Sequence, residues 1–217
     1  MKQRIIRNIQ KIAGKYSPDI VFSDWVHCAA IAIQNSCYPD GSALKEKRER
    51  EYQAIAQKYD REDMLMFGDM LGMLAIELEN NPRDVLGEIY MELEAGSKQT
   101  GQFFTPYHIS KLAAAVAAWE DISPEKPIEL YEPSVGGGGM LIAMAMRLKG
   151  SGLNYQNCIK VTAQDLDYRS VHMAYVQFSL LGLDAAVAQG DTLADPYRKG
   201  YPDERVWKTP RRMGVIL

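Results

Sequence analysis

Apolar residues recur at intervals of three and four through the first part of the chain, as at Ile5, Ile9 and Ile12. This spacing places apolar side chains on one face of an α-helix. Proline, glycine and aspartate residues interrupt the pattern, and they divide it into five predicted helices. The first begins near the N-terminus, and the other four span approximately residues 20–35, 42–59, 63–79 and 85–93.

The pattern changes after Gly96, where a run of small polar residues separates two kinds of sequence. Beyond this point, short apolar runs alternate with segments of helical periodicity. Repeated units of one strand and one helix predict a parallel sheet flanked by helices, which is an α/β, Rossmann-like fold. We therefore expect a helical N-terminal domain over residues 1–96 and an α/β domain over residues 97–217.

The α/β part is predicted to begin with a helix in which Thr105 is the N-cap and Pro106 lies in the first turn, continuing to Trp119. Strands and helices then alternate. The predicted strands are residues 128–131, 159–163 and 185–188, with a fourth expected over residues 213–217, and helices follow the first two strands at residues 140–150 and 168–181.

Composition narrows the class of protein without identifying a partner. Hydrophobic residues make up 47% of the chain and charged residues 24%, which is typical of a globular protein with a buried core. The formal net charge of -3 gives no overall basic field for nucleic acid, so a DNA contact would need a local patch. The three cysteines lack the paired spacing of a zinc site, and no apolar run is long enough to span a bilayer. We expect a cytoplasmic protein with reduced thiols, no metal and no membrane segment.

A run of charged residues, KEKRER at Lys45–Arg50, lies on the third predicted helix. Opposite charges four residues apart pair along a solvent-exposed helix face, and this is one interpretation of the segment. The other interpretation is a basic surface that faces DNA. The pattern favours the solvated face and leaves the second interpretation open.

Four consecutive glycines follow the first predicted strand, in EPSVGGGGM at Glu132–Met140. Glycine allows a ligand to approach the backbone without meeting a Cβ atom, and the helix that follows offers unpaired N–H groups to an anionic group. A nucleotide-like ligand fits this arrangement. A glycine-rich turn is also compatible with a tight, flexible connection. The residues at the neighbouring strand ends are therefore needed to distinguish a ligand-binding loop from such a connection.

Acidic residues follow the next two predicted strands. Asp165 lies at the end of the second strand, where a carboxylate can bind both hydroxyls of a ribose, and Asp167 is placed to cap the next helix. Asp191, within GDTL at Gly190–Leu193, follows the third strand, where a carboxylate can accept from the exocyclic amine of adenine. Together with Glu132, these residues outline a crevice for an adenosine-bearing ligand.

Four segments, TGQFFTP, EPSVGGGGM, AQDLD and GDTL, occur in this order from Thr100 onwards. In this combination the chain resembles the modification subunit of type I restriction-modification systems and related adenine-N6 DNA methyltransferases, over the half that ends at Leu217. The resemblance implies a Rossmann-like methyltransferase sheet, S-adenosylmethionine as the cofactor and DNA as the substrate. It also implies an oligomer or hetero-complex in which a separate specificity subunit, or a further C-terminal part, recognises the DNA.

The resemblance assigns cofactor contacts to individual residues. The Phe-Phe-Thr-Pro positions would border the methionine end of S-adenosylmethionine, and the glycine loop would line its methionine and sulfonium region. Asp165 would hold the ribose hydroxyls, Leu166 would lie against the adenine ring, and Asp191 would bind the adenine amine. The implied cofactor-binding residues are Phe103, Phe104, Thr105, Pro106, Glu132, Pro133, Gly136, Gly138, Asp165, Leu166 and Asp191.

One motif of the family is absent from the sequence. Methylation of the adenine amine requires the base to be flipped out of the duplex, and the family holds it with an Asn-Pro-Pro-Tyr or Asn-Pro-Pro-Phe motif after the fourth strand. The closest string, Asp195-Pro196-Tyr197, is expected in the loop after the third strand. We therefore expect the methyltransferase core to end before the catalytic motif, and no catalytic residue is predicted.

Two functions follow from these observations. One is an S-adenosylmethionine-dependent DNA adenine-N6 methyltransferase, or its cofactor-binding part, in a system of the restriction-modification kind. The other is a non-catalytic module derived from such an enzyme, which binds S-adenosylmethionine or another subunit. A nicotinamide-dependent reductase is disfavoured, because Asp165 lies 29 residues beyond Gly136 and the dinucleotide fingerprint places its acidic residue about 20 residues on.

Overall fold

The first part of the chain is helical, as its apolar periodicity predicts. A computed structural model describes residues 1–94, 104–117 and 121–215. Each of the five helices expected in the first range is present, with its ends displaced by a few residues. They are α1 (Lys2–Ile12), α2 (Pro18–Ser36), α3 (Ala43–Ala56), α4 (Arg61–Asn80) and α5 (Val85–Glu94).

The helices bury the residues that carry the periodicity. Ile5 and Ile9 on α1 are fully buried, and so are Met70 and Leu74 on α4. Burial of an aliphatic side chain of this size stabilises the fold by about 1.5–3 kcal/mol, so these faces decide where the helices pack. Within the described residues, no helix is both long and apolar enough to cross a membrane.

The described residues from Phe104 onwards form a four-stranded sheet with helices packed on it. The strands lie in the order β1-β2-β3-β4, with the first three parallel and the last antiparallel to β3. The α/β, Rossmann-like class predicted from the sequence is therefore confirmed. The strands are β1 (Ile128–Glu132), β2 (Ile159–Asp165), β3 (Asp184–Gln189) and β4 (Val206–Lys208), and the helices are α6 (Tyr107–Val116), α7 (Gly139–Gly150), α8 (Tyr155–Cys158) and α9 (Tyr168–Leu180).

The fourth strand lies elsewhere than the sequence predicted. Residues 213–215 are not a strand, because Arg211–Met213 forms a turn of 3-10 helix and Gly214 has a φ of +77°, which breaks an extended backbone. Residues 216–217 lie outside the described residues. The observed β4 has only three residues, too few for the pattern of an alternating strand to be visible in the sequence.

Helix α6 begins later than expected. Its N-cap is Pro106, whose carbonyl accepts a hydrogen bond from the backbone N–H of Ile109 at 2.8 Å, so the prediction that Thr105 caps this helix is wrong. The extended ψ of 135° at Pro106 delays the first helical residue to Tyr107. The helix ends at Val116, short of the predicted end, and residues 118–120 lie outside the described residues.

Buried apolar side chains from the first five helices and from the sheet with its helices form one continuous core. Helix α2 packs against α9, and the rings of His27 on α2 and His172 on α9 stack there with centroids 4.2 Å apart. The predicted division into two domains falls at a part of the chain outside the described residues, and it stays a prediction. The α2–α9 contact fixes α9, which supports the candidate site described below.

The charged run KEKRER on α3 is a solvated face only in part. Lys45 pairs with Asp40 at 2.7 Å and Lys47 with Glu204 at 3.4 Å, and these pairs involve at least one well-exposed side chain each. They agree with the solvated interpretation. Exposed pairs of this kind contribute about 0–1 kcal/mol, so they do not fix the position of α3.

Arg48, in the middle of the same run, is 5% exposed, and here the solvated interpretation is wrong. Its guanidinium donates to Gln34 at 3.1 Å and to the backbone carbonyl of Glu204 at 2.7 Å. It also pairs with Glu51 at 3.0 Å and lies 3.7 Å from the ring centroid of Trp207 on β4. Because the planar cation stacks and donates at once, Arg48 joins α3 to the β4 edge of the sheet.

Replacing Arg48 is expected to cost far more stability than replacing its neighbour Lys47. Arg48→Ala should lower the free energy of unfolding by about 2–4 kcal/mol, because the variant loses the stacking on Trp207 and leaves buried acceptors without a donor. Lys47→Ala, which removes one exposed pair, should change it by less than about 1 kcal/mol. Urea unfolding followed by circular dichroism measures both, and equal losses would contradict the role given to Arg48.

Candidate functional site

The loops that follow the three parallel strands are joined at the carboxyl edge of the sheet. The backbone N–H of Gly136, after β1, donates to Oδ2 of Asp165 at 2.9 Å. The N–H of Gly190, after β3, donates to the carbonyl of Asp165 at 2.9 Å, and the Thr192 hydroxyl donates to the carbonyl of Pro133 at 2.6 Å. The strand ends singled out in the sequence therefore form one surface.

A cavity of about 410 Å³ opens at this edge, between the glycine loop, the end of β2 and the start of α6. Five of the residues that the family resemblance assigns to the cofactor line it. They are Phe104, Thr105, Glu132, Gly136 and Asp165. The structure thus brings together these residues from three separate segments around a space of the size that small-molecule ligands occupy.

Three further predicted residues lie outside the cavity lining, in the same loops. Pro133 is exposed next to Glu132, and Leu166, which follows Asp165, is 68% exposed. Asp191 is also exposed, and its Oδ1 accepts the backbone N–H of Leu193 at 2.9 Å. This hydrogen bond holds the loop after β3 in a defined turn, in which Leu193 is 97% exposed.

The last three predicted residues are placed differently. Gly138 is buried as the N-cap of α7 and does not line the cavity. Pro106 lines a neighbouring cavity of about 560 Å³, which shares Asp84, Phe104 and Thr105 with the first. Phe103 lies outside the described residues.

The glycines of the loop leave space that side chains from other segments of the protein occupy. A Cβ atom at three of the four would clash with a side chain from another segment. The clashes are those of Gly136 with Phe104, Gly137 with Asp84, and Gly138 with Phe178. Gly136 and Gly137 also line the cavity, so the expectation that these glycines open the backbone to a ligand stays a prediction. Two of them also have positive φ angles, +53° at Gly136 and +93° at Gly138, which side-chain-bearing residues rarely adopt.

Asp84, just before α5, is a site residue that sequence reasoning missed. It is 4% exposed, and its Oδ1 accepts from the Gln177 amide at 2.9 Å and from the N–H of Gly87 at 2.8 Å. The Gln177 amide also donates to the carbonyl of Gly137 at 2.7 Å. The only sequence signal is an acidic residue before a helix, which indicates an ordinary N-cap, so its place under the glycine loop was not visible.

The cavity is acidic. Asp84, Glu132 and Asp165 line it, and its described lining includes no lysine or arginine. Burial raises the pKa of each of these three carboxyls, against the hydrogen bonds from Gln177, Ser134 and Gly136 that lower it. The negative charge is therefore costly without a partner, and an occupant that carries positive charge is favoured.

The string Asp195-Pro196-Tyr197 lies in the loop between β3 and β4, as predicted. The side chain of Gln164 on β2 fixes it, donating to the carbonyl of Asp195 at 2.9 Å and accepting the N–H of Tyr197 at 2.8 Å. Tyr197 packs on Tyr201 in the same loop, with ring centroids 5.5 Å apart. The tyrosine ring is thus committed to the packing of its own loop.

The fold and the cavity define a class: a Rossmann-like α/β protein with an acidic ligand site at the carboxyl ends of its parallel strands. The N-6 DNA Methylase family matches residues 81–213, which is more than half of the chain, and the chain belongs to this family. The resemblance to adenine-N6 DNA methyltransferases that the motifs indicated is thereby confirmed.

Two solved structures are similar to the chain. One is the methyltransferase subunit of a type I restriction-modification system from Streptococcus thermophilus, with 17% identity, a TM-score of 0.47, and coverage of 85% of this chain and 42% of that one. The other is a putative class I S-adenosylmethionine-dependent methyltransferase from Listeria monocytogenes, with 16% identity, a TM-score of 0.47, and coverage of 89% and 54%. The chain spans about half the length of these proteins. No curated protein matches it.

Asp84→Asn is expected to stabilise the unliganded protein, and increasingly so as the pH rises above the ordinary carboxyl pKa of about 4. Because burial raises the pKa of Asp84, its favourable contribution to folding is complete below the ordinary carboxyl pKa and is lost as the pH rises through the folded-state pKa. The amide undergoes no such loss and keeps an oxygen to accept from Gln177 and Gly87. Calorimetry should show a Tm higher by about 2–4 °C near pH 8.

Asp24→Asn is the matched control for this experiment. Asp24 on α2 accepts from Lys58 at 3.1 Å and from the Tyr59 hydroxyl at 2.9 Å, so its substitution removes a partnered carboxylate and should lower the Tm. A Tm of Asp84→Asn that equals or falls below that of the wild type across the whole pH range would show that the Asp84 carboxyl is not an unfavourable buried charge.

Proposed function

We propose that this chain binds S-adenosylmethionine in the cavity beside the glycine loop and forms the cofactor-binding part of a DNA adenine-N6 methyltransferase. One observation carries the proposal: a member of the N-6 DNA Methylase family has an acidic cavity at the ends of its parallel strands, and the described lining of this cavity has no lysine or arginine. Membership of that family implies S-adenosylmethionine as the cofactor. The residues present fit it in charge, in acceptors and in the size of the space.

Charge distinguishes S-adenosylmethionine from the dinucleotide alternative. S-adenosylmethionine carries a sulfonium and an ammonium against one carboxylate, so its net charge is positive. A nicotinamide dinucleotide carries a pyrophosphate, which Rossmann folds bind at a helix N-terminus and which three nearby carboxyls would repel. Asp84, Glu132 and Asp165 therefore favour the sulfonium cofactor.

Asp165 is suited to hold the ribose. Its Oδ2 accepts the N–H of Gly136 at 2.9 Å and its Oδ1 accepts the N–H of Asp167 at 3.0 Å. Each carboxylate oxygen has a further lone pair, so two hydroxyl donors can be accepted while the backbone bonds keep the group oriented. The pre-oriented carboxylate is the residue we expect to contribute most to recognition of the nucleoside.

The adenine ring would lie next to the ribose, towards the loops after β2 and β3. Leu166 and Leu193 are large apolar side chains exposed to 68% and 97%, an arrangement that suits contact with a flat aromatic ligand. Asp191 accepts N–H groups of its own turn through Oδ1, which leaves Oδ2 for the adenine amine. The methionine end would then extend towards Glu132, Phe104 and Thr105.

Bound S-adenosylmethionine supplies an electrophilic methyl group on sulfur. The exocyclic amine of adenine is itself the nucleophile, so no covalent enzyme intermediate is needed, and the target base must leave the DNA stack to reach the site. The residues of this chain bind and orient the cofactor. DNA is the substrate we propose, in the cytoplasm, within an oligomer or a hetero-complex that includes a DNA-recognising specificity subunit.

A second candidate is a module that binds the cofactor without transferring its methyl group. The observation that favours it is the commitment of Tyr197, in the string that is closest to the family's catalytic motif, to the packing of its own loop. Both candidates use the same cavity. They differ in whether methyl groups reach DNA.

Asp165→Asn is expected to weaken S-adenosylmethionine binding by about 10- to 100-fold, because the amide loses charge and one hydroxyl-accepting oxygen. Isothermal titration calorimetry measures this directly. The control is Asp167→Asn, two residues on: asparagine caps α9 as well as aspartate does, so binding should stay within about twofold. Undetectable binding to the wild type, or equal effects of both variants, would refute the proposed site.

Transfer of labelled methyl groups from S-adenosylmethionine to DNA then separates the two candidates. Incorporation into adenine by the wild-type chain, lost in Asp165→Asn and kept in Asp167→Asn, would establish the methyltransferase. Cofactor binding in calorimetry without incorporation would establish the binding module for the chain by itself.

A further inference from the structure

Two buried polar groups of the cavity have atoms without a hydrogen-bond partner. Ser110 on α6 is fully buried, and its Oγ has no partner among the described residues. Asp84 is 4% exposed, and the hydrogen bonds from Gln177 and Gly87 both go to its Oδ1, while no described residue donates to its Oδ2. Buried polar atoms are nearly always hydrogen-bonded, so the enclosed Ser110 hydroxyl indicates a polar occupant, and Oδ2 of Asp84 offers that occupant a further acceptor.

The two atoms flank the same point. A Cβ atom built on Gly139 would lie 3.2 Å from Oδ2 of Asp84 and 3.6 Å from Oγ of Ser110. Both side chains also line the cavity of about 410 Å³. Glycine at this position keeps the space between the carboxyl and the hydroxyl open, at the first residue of α7.

The same point is the N-terminus of α7, a helix of 12 residues. Its N-cap is Gly138, which has no side chain to satisfy the N–H groups of the first turn. Those groups, together with the helix dipole, favour a negatively charged group. An acceptor for a cation and donors for an anion therefore lie within a few ångströms of one another.

We propose that Asp84 and Ser110 form the subsite for the amino-acid end of S-adenosylmethionine. Oδ2 of Asp84 accepts the α-ammonium, and the Ser110 hydroxyl with the N-terminus of α7 binds the α-carboxylate. This inference rests on the proposed function. It adds two residues that lie outside the four sequence motifs, one before α5 and one on α6.

Charge and packing support this assignment. Burial raises the pKa of Asp84 in the unliganded protein, and a bound ammonium compensates the cost of the buried carboxylate. Two glycines leave room for the Asp84 carboxyl, because a Cβ atom at Gly87 or Gly137 would collide with this group. The protein thus keeps the buried Asp84 carboxyl, whose charge destabilises the unliganded fold, at a position where it can bind a cationic ligand.

The test uses three ligands and an isosteric variant. S-adenosylmethionine carries the sulfonium and the amino-acid end, S-adenosylhomocysteine carries the amino-acid end without the sulfonium, and 5′-methylthioadenosine carries neither. Asp84→Asn retains an oxygen for Gln177 and Gly87 and changes the free oxygen into an NH₂ donor. Calorimetric titration of the full chain with each ligand measures the effect, and Asp24→Asn on α2 is the control outside the cavity.

Asp84→Asn is expected to weaken S-adenosylmethionine and S-adenosylhomocysteine by similar factors, about 10- to 100-fold, and to leave 5′-methylthioadenosine within about twofold. Ser110→Ala should weaken the same two ligands by about 3- to 10-fold, because it removes a neutral hydrogen bond. Asp24→Asn should leave all three unchanged.

Three results would overturn the inference. A loss confined to S-adenosylmethionine would place the Asp84 carboxyl at the sulfonium, equal losses for all three ligands would make its role structural, and unchanged affinities would remove it from the site. Each of these leaves the proposed function intact, since the wild type still binds the cofactor. Failure of the wild type to bind any of the three would instead overturn the proposed function, and this inference with it.

Discussion

The site depends on one buried side chain, the amide of Gln177 on α9. It donates to the carboxyl of Asp84 and to the carbonyl of Gly137, and its oxygen accepts the N–H of Leu86 at 3.1 Å. Three segments, the start of α5, the glycine loop and α9, therefore share one hydrogen-bonded group. Because an unsatisfied buried polar group costs about 1–3 kcal/mol, none of these segments can move alone without a penalty. The packing of α2 on α9 extends this constraint to the first helices of the chain.

The elements of the fold that the sequence predicted correctly are those with a regular spacing of apolar residues. The five helices of the first part and the three parallel strands have several periods of apolar spacing, and burial of those residues fixes each element. The three-residue strand β4 has no such period, and residues 213–217 have the composition of a strand but are interrupted at Gly214 by a positive φ. Arg48 was misplaced for a related reason, since its partner Trp207 is distant in sequence and a charged run alone indicates a solvated face.

The sequence predicted those residues of the candidate site that lie at the carboxyl ends of the parallel strands. Glu132 and Asp165 come directly from that rule, and Asp167 caps α9 as expected, accepting the N–H of Arg169 at 2.9 Å. The glycines were located correctly, but their role depends on Asp84, Phe104 and Phe178, which reach the loop from elsewhere in the chain. Contacts of this kind have no local signature, so Asp84 and Ser110 became visible only in three dimensions.

These features describe a cavity whose carboxyls cost the unliganded protein stability and become favourable when a cationic ligand binds. A protein that retains such groups trades stability for binding, which is common at functional sites. The most direct test is to follow the backbone amide signals of the labelled protein by NMR during addition of S-adenosylmethionine. Signals of residues 134–140 and 165–167, and those of Asp84 and Gly87, are predicted to shift with saturation, while those of α3 stay in place. No shift at the glycine loop, or shifts confined to another surface, would contradict a cofactor site at this cavity.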